Sequence, residues 1–275
     1  MVKIDAHHHL WRYNPAVHGW ITDEMKNLRR DFMPEDLLKV MQSSGYSGCI
    51  AVQASQTEKE TRFLIEQAGR FPFIKGVVGW LDLRAENLRD KLDYYSEFPA
   101  LKGLRHVVQD EPDEKFMLRP DFLNGIGALA DYDLAYDLLI FPKQLDAAIQ
   151  LVQKFPGQRF ILDHIAKPLI RNGIMSPWDE KIYKLADSPN VYCKLSGMVT
   201  ETDWHQWKRE DFTPYIDVIF KAFGADRVMI GSDWPVCTLA GSYKDVMGIV
   251  EHYLTSDILK KKVLGQNAIK FYELY

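Results

Sequence analysis

Three consecutive histidines near the start of the chain are the residues with the clearest chemical potential. They close the stretch Ile4-Asp5-Ala6-His7-His8-His9. If this stretch is a β-strand, His7 and His9 point to one face, because alternate side chains share a face, and His8 points away. Imidazole groups bind metal ions and line electrophilic pockets. We therefore expect His7 and His9 to form one wall of such a site, and His8 to be structural.

The elements that must position these histidines are strands and helices in alternation. Short apolar runs occur at 3–7, 47–53, 75–80, 101–106, 134–140, 159–164, 190–195 and 227–233. Continuous apolar runs are typical of strands buried on both faces of a parallel sheet. Helix signals lie between them: Pro34 opens a segment that Gly45 closes, Thr57 and Glu60 form a capping box, and Pro142 precedes an amphipathic segment.

This alternation predicts an α/β fold, a single (β/α)8 TIM barrel in which residues 1–275 form one domain. The chain has no Ser/Gly-rich linker and no sequence repeat, which argues against two domains. A doubly wound open sheet is the alternative. The absence of a Gly-x-Gly-x-x-Gly turn after the first strand disfavours the dinucleotide-binding form of that alternative.

The composition narrows the class of partner. There are 34 basic and 38 acidic residues, a formal charge of −4, which gives no electrostatic reason to expect a nucleic acid or an anionic membrane. No apolar run reaches the roughly 18 residues needed to cross a bilayer. Three separated cysteines (Cys49, Cys193 and Cys237) indicate buried thiols in a reducing compartment. We expect a cytoplasmic protein that acts on a small molecule, and the oligomeric state, a homo-oligomer included, stays open.

In a barrel of this type the chemistry lies at the C-terminal ends of the strands. His164 ends the sixth run and Asp233 ends the eighth. With His7 and His9 they could hold one divalent metal ion, for which zinc is the best match, although manganese or iron also fits these residue types. Asp233 could then accept the proton of an attacking water. The structural alternatives are a His164 bonded to a backbone carbonyl and an Asp233 that caps the following segment.

Other polar and aromatic residues at the strand ends are candidates for substrate binding. Arg105 and Lys194 suit recognition of a carboxylate or hydroxyl groups, or else pair with buried aspartates. His106 alternates with Arg105, so only one of the two is expected to reach the pocket. The remaining candidates are Trp11, Trp80, Tyr136 and Trp234, which could stack on a sugar-like ring or fill the core. The stretch 10–31 is a candidate lid.

The order of these motifs resembles the amidohydrolase superfamily, and in particular its amidohydrolase-related branch of sugar lactonases of the L-fuconolactonase and L-rhamnonolactonase type. The resemblance extends over nearly the full chain and is carried by residues 4–11, 103–112, 162–168, 193–197 and 231–237, continuing to 265–272. It implies a metal-dependent-hydrolase barrel in which His7, His9, His164 and Asp233 are the metal ligands and catalytic residues. It also implies hydrolysis of the cyclic ester of a sugar acid.

Two qualifications accompany the resemblance. The fourth strand ends in Arg105 and His106 where binuclear members of the superfamily carry a carboxylated lysine, which argues against a second metal ion. Some relatives are similar to this chain yet hydrolyse lactones without metal, in which case the histidines would polarise the carbonyl directly. The leading hypothesis is thus a lactonase with Asp233 as general base. The alternatives are an amide hydrolase or decarboxylase of a small carboxylic acid, or a sugar-acid binding protein without activity; a DNA phosphodiesterase is disfavoured by the acidic charge.

Overall fold

Eight parallel strands form the centre of the molecule, whose computed structural model describes residues 1–274. Each strand pairs with the next one in sequence, in the order β1 to β8. The strands are β1 Ile4–His8, β2 Gly48–Val52, β3 Ile74–Gly79, β4 Leu101–His106, β5 Ala135–Leu138, β6 Phe160–Leu162, β7 Val191–Leu195 and β8 Val228–Ile230. All eight lie within the predicted runs or within one residue of them, which confirms the TIM barrel and excludes the open sheet.

Helices follow the strands and cover the outside of the barrel. They are α1 Pro34–Ser43, α2 Glu58–Arg70, α3 Leu88–Ser96, α4 Pro120–Leu129, α5 Leu145–Lys154, α6 Trp178–Ala186, α7 Thr213–Phe223, α8 Tyr243–Tyr253, α9 Asp257–Lys261 and α10 Asn267–Phe271. The predicted helix starts hold: Pro34 is the first residue of α1, and the Thr57 hydroxyl accepts a hydrogen bond from the Glu60 amide at 3.2 Å. No helix within residues 1–274 is long and apolar enough to cross a membrane.

The barrel closes where the histidines and Asp233 lie. The Asp233 amide donates to the His7 carbonyl at 2.8 Å, and the His9 amide donates to the Trp234 carbonyl at 2.6 Å. A second link joins the two strands on the outer face, where the Asp5 carboxylate accepts hydrogen bonds from the amide and hydroxyl of Ser232 at 2.8 and 2.6 Å. Closure therefore brings the first and last strand ends of the site together through the backbone.

A register shift in β1 sets the direction of the histidines. Asp5 is opposite Cys49 and His8 is opposite Ala51, so two residues, Ala6 and His7, face the single residue between them on β2. Cys49 and Ala51 belong to the apolar layer between strands and helices. His8 consequently points outward, as predicted, while His7 and His9 point into the barrel.

The barrel interior has an apolar layer at its N-terminal end and charged groups above it. Ile4, Ile50, Val78 and Met229 pack there with Phe271 and its neighbours at the C-terminus of the chain. The larger apolar layer lies outside the strands, against the helices. The three cysteines are buried and unpaired thiols, as expected.

Candidate active site

Four side chains meet at the C-terminal end of the barrel. The Nε2 atoms of His7 and His9 are 3.3 Å apart, and His9 Nε2 lies 3.2 Å from Asp233 Oδ1. His7 Nε2 and His164 Nε2 lie 3.9 and 4.0 Å from the same oxygen. The sequence placed these residues at the ends of strands one, six and eight, and the fold brings all four of them into one cluster.

Each histidine is oriented by a partner on its other ring nitrogen. His9 Nδ1 donates to the Val52 carbonyl at 2.8 Å, His7 Nδ1 faces the Asp163 carboxylate at 3.3 Å, and His164 Nδ1 is 2.9 Å from the Ser196 hydroxyl. A neutral imidazole has one donor and one acceptor nitrogen. These outward partners leave the Nε2 atoms of all three histidines directed into the site, towards the Asp233 carboxylate.

Burial and mutual charge set the ionisation of the cluster. Burial lowers the pKa of His7 well below its ordinary value and lowers the pKa of His164 to about 4. Burial alone would raise the pKa of Asp233, but the His164 charge, the His9 hydrogen bond and the other histidines hold that pKa well below its usual range. At neutral pH the site therefore contains an ionised carboxylate beside neutral His7 and His164.

His164 lies on an unusual left-handed turn. All four residues of the 3₁₀ turn and cap from His164 to Lys167 have positive φ, from 49° to 60°. Such conformations are disfavoured for L-residues and occur mostly where function requires them. Gly197 packs against the ring, and a Cβ atom there would lie 2.4 Å from His164 Nδ1. The turn and Gly197 together fix the position of the imidazole.

Two buried cations lie next to the cluster, with different roles. Arg105 Nη1 is 3.3 Å from His7 Nε2 and 2.9 Å from Asp163, and the rest of its guanidinium bonds to Gln53. Lys194 is held between two carboxylates, 2.5 Å from Asp137 and 3.0 Å from Asp163. Arg105 lines the cavity described below, whereas Lys194 is an internal ion-pair partner, the alternative that the sequence left open.

A cavity of about 690 Å³ opens above the cluster. Four residues that the sequence singled out, His9, Arg105, His164 and Asp233, form its floor. Ala16, Val17, Trp20 and Met25 of the stretch 10–31 also line it, as expected for a covering segment. This stretch is anchored at its base, because the backbones of Trp11 and Phe32 exchange two hydrogen bonds. The cavity is large enough for a small-molecule substrate.

His106 and Trp80 lie outside the described lining of the cavity. His106 Nε2 bonds to Glu111 at 2.6 Å, its ring stacks on Phe116, and burial lowers its pKa. The Trp80 indole donates to His106 Nδ1 at 3.4 Å. Of the alternating pair, Arg105 is thus the residue that faces the cavity.

The other three aromatic candidates also contact protein, and among the described residues none of them lines the cavity. The Trp11 indole donates to the Arg30 carbonyl at 2.9 Å, and Trp234 packs edge-on against Phe32. Tyr136 is fully buried between the strands and helices. Substrate contact by these residues stays a prediction, while their present role is packing around the site.

Several cavity residues were not among the candidate site residues predicted from the sequence. Gln56, Gln109, Lys167, Glu201 and Trp204 all line it from the loops that follow the strands. Such loops carry much of the function in this architecture, but their conformations do not follow from periodicity. The available indication was that Gln109 and Lys167 fall within the stretches 103–112 and 162–168 that carry the family resemblance.

The donor set is chemically suited to a cation. His7, His164 and Asp233 offer ligand atoms that all lie within 4.8 Å of one another, and His9 adds a further Nε2. The Nε2 atoms of three histidines and a carboxylate oxygen converge here, and these are donor atoms that divalent metal ions such as zinc bind. Outward hydrogen bonds on Nδ1 are also typical of histidines that ligate metal.

Comparisons with known proteins agree with this geometry. The profile of the amidohydrolase family matches residues 4–274. An L-fucono-1,5-lactonase of Burkholderia multivorans is 37% identical over 99% of this chain and 96% of its own length, and one of Burkholderia ambifaria is 34% identical with the same two coverages. A crystal structure of a Burkholderia multivorans amidohydrolase with bound zinc is 36% identical, covers both chains fully and superposes with a TM-score of 0.96. The chain belongs to the amidohydrolase family.

Proposed function

We propose that this protein opens the lactone ring of a sugar acid similar to L-fucono- or L-rhamnono-lactone, with Asp233 as the general base. That the chain is a hydrolase of cyclic esters follows from its identity of 34–37% to L-fucono-1,5-lactonases over nearly its whole length. The observation that carries the mechanism is the position of the Asp233 carboxylate, which lines the cavity with Oδ1 3.2 Å from His9 Nε2.

Asp233 is placed to accept a proton from water. Its pKa stays below the ordinary value, so the carboxylate is ionised at neutral pH. A water bonded to Oδ1 would attack the lactone carbonyl as Asp233 takes its proton, and the same group would then protonate the departing ring oxygen. A lactone is an activated ester, so no covalent enzyme intermediate is needed.

Arg105 supplies fixed positive charge where the oxyanion forms. Its Nη1 atom donates towards His7 Nε2 from 3.3 Å, and the side chain is buried, so the charge acts through little water. Bonds to Gln53 and Asp163 hold the guanidinium in place before substrate arrives. Preorganised charge of this type stabilises a transition state without a reorganisation cost.

A divalent metal ion, with zinc as the best match, would be held by His7, His9, His164 and Asp233. When bound, it would act as a Lewis acid on the carbonyl group. Zinc in the related Burkholderia multivorans structure supports this choice. In relatives that work without metal, the histidines themselves would polarise the carbonyl, and the roles of Asp233 and Arg105 are the same in both cases.

The test is the turnover of sugar lactones, followed by acid release in a pH-stat, in wild type and two matched variants. We expect Asp233→Asn to reduce kcat/KM by about 10³-fold, the scale of general-base catalysis. Asp110→Asn removes another carboxylate that lines the cavity but belongs to no contact in the histidine cluster, and should cost less than about 10-fold on the same scale. Near wild-type turnover in Asp233→Asn would refute the assigned base.

The same wild-type protein is used to test the alternative functions, an amide hydrolase or a decarboxylase. Aromatic carboxylic acids and small amides are added to the panel, with carbon dioxide and ammonia as the readouts. Turnover of these compounds without turnover of any lactone would replace the lactonase proposal.

A further inference from the structure

Lys167 and Glu201 face each other in the wall of the cavity. Lys167 closes the left-handed turn that begins at His164, and Glu201 ends the 3₁₀ turn Met198–Glu201 that follows β7. Both line the cavity, and Trp204 lines it beside them, tethered by its indole to the Thr200 carbonyl at 3.1 Å. In a turn with three residues per repeat, His164 and Lys167 share a side. One strained turn thus directs both residues towards the same space.

This charge pair is open, unlike the other charge pairs around the site. Lys167 Nζ and Glu201 Oε1 are 4.0 Å apart, too far for a hydrogen bond. Within residues 1–274 the Lys167 ammonium donates no hydrogen bond that meets normal geometry, and Glu201 accepts only one long bond, 3.4 Å from the Thr200 hydroxyl. Lys194, by contrast, lies 2.5 and 3.0 Å from its two carboxylates.

An open pair in a recessed wall has an energetic cost that a ligand can remove. Lys167 and Glu201 are only 17% and 20% exposed, so water solvates them incompletely. Burial raises the pKa of Glu201, because removal from water disfavours the charged carboxylate. Buried polar groups normally find partners, and those left free at a cavity surface are available to a ligand.

We propose that Lys167 and Glu201 form a subsite that binds a hydroxyl group of the substrate away from the reacting carbonyl, and so select polyhydroxylated lactones over plain ones. This inference rests on the proposed lactonase function and names the substrate feature that the site reads. A hydroxyl accepts a bond from the ammonium and donates one to the carboxylate, so it satisfies both groups at once. Two hydrogen bonds of about 2.8 Å that meet at roughly a right angle span the observed 4.0 Å.

The experiment compares a hydroxylated and an unsubstituted lactone in the same variants. Lys167→Met keeps an unbranched apolar stem of nearly the same length and removes the donors, and Glu201→Gln keeps the shape and removes the charge. Lys181→Met is the control, because it breaks the surface pair with Asp146 and lies outside the described lining of the cavity. The substrates are L-fucono-lactone and δ-valerolactone, and thermal unfolding verifies that each variant is folded.

We expect both subsite variants to lose about 10- to 100-fold in kcat/KM on L-fucono-lactone, the range for a charged hydrogen bond to a neutral group. On δ-valerolactone, which has no hydroxyl group, the change should stay below about threefold, as it should for the control on both substrates. An equal loss on both lactones, or no loss on L-fucono-lactone, would overturn the subsite. If wild type opened neither lactone, the proposed function itself would fail, and the subsite with it.

Discussion

The packing of Gly197 against His164 leads to a prediction in which a single added methyl group impairs catalysis. In Gly197→Ala the new Cβ would lie 2.4 Å from His164 Nδ1, about 1 Å inside an ordinary contact distance. The ring must move by about that amount, which disrupts its 2.9 Å contact with Ser196. A displacement of 1 Å in a catalytic group costs about 100-fold in rate, so we expect kcat/KM to fall by that factor.

The stability change separates into two contributions. Gly197 has φ +60°, and alanine in that region costs roughly 1–2 kcal/mol. The steric overlap adds about 1–3 kcal/mol, as is usual for overpacking. Gly173→Ala is the matched control, since Gly173 has φ +64° but nothing within 4 Å of the added Cβ. It should show the backbone cost alone, with full activity.

Urea unfolding and pH-stat kinetics on both variants test this reasoning. The difference in unfolding free energy between Gly197→Ala and Gly173→Ala measures the overlap with His164. If the two variants were equally stable and Gly197→Ala kept more than a third of wild-type activity, the position of His164 would not depend on this contact. Equal activity loss in both variants would also refute it, because only one of them touches the imidazole.

Two further measurements address the outer histidine and the metal. His8 is fully buried, and burial lowers its pKa from 6.5 to about 3. The unfolded state therefore binds a proton first as the pH falls below 6.5, so stability is lost towards acid; between about pH 8 and about pH 5 the loss from this group is ~2 kcal/mol. In His8→Leu urea unfolding should show a pH dependence smaller by that amount, and an unchanged dependence would exclude His8 as its source. Metal analysis of protein purified without an affinity tag should find about one divalent ion per chain. Less than a tenth of an ion with full activity would favour the metal-free form of the mechanism.

The fold was predictable from the sequence because its signals are local and repeated. Each strand is a short apolar run, and several are followed by a segment with helical spacing and a recognisable start, as at Pro34 and Thr57. The number of strands and their alternation with helices favoured a closed barrel, but only the pairing of the β1 and β8 ends in the structure excluded an open sheet. Once the strands are located, the residues at their C-terminal ends are expected at the same end of the barrel. This is why His7, His9, His164 and Asp233 could be placed in one cluster.

The directions of side chains at these ends were predictable only in part. Strict alternation puts Asp5, His7 and His9 on one face, but the bulge in β1 turns Asp5 outward to bond with Ser232. A bulge depends on pairing with the neighbouring strand, so a single run of residues does not show it. The sequence also could not show which aromatic candidates pack in the core and which contact a ligand. Trp11 and Tyr136 are side chains that suit either position, and the structure places both in the apolar layer.

The left-handed turn from His164 to Lys167 carries one site residue that the sequence predicted, His164, and one cavity residue that it did not single out, Lys167. Four successive non-glycine residues with positive φ contradict local preference, so no propensity argument predicts the turn. The surrounding contacts must compensate for its strain, and Gly197 and Ser196 supply them by packing against and bonding to His164. Because the same turn carries Lys167 into the cavity wall, His164 and the proposed hydroxyl-binding Lys167 have a fixed separation. On the proposed mechanism and subsite, this one rigid element would contact the substrate at two points, its reacting carbonyl and one of its hydroxyl groups.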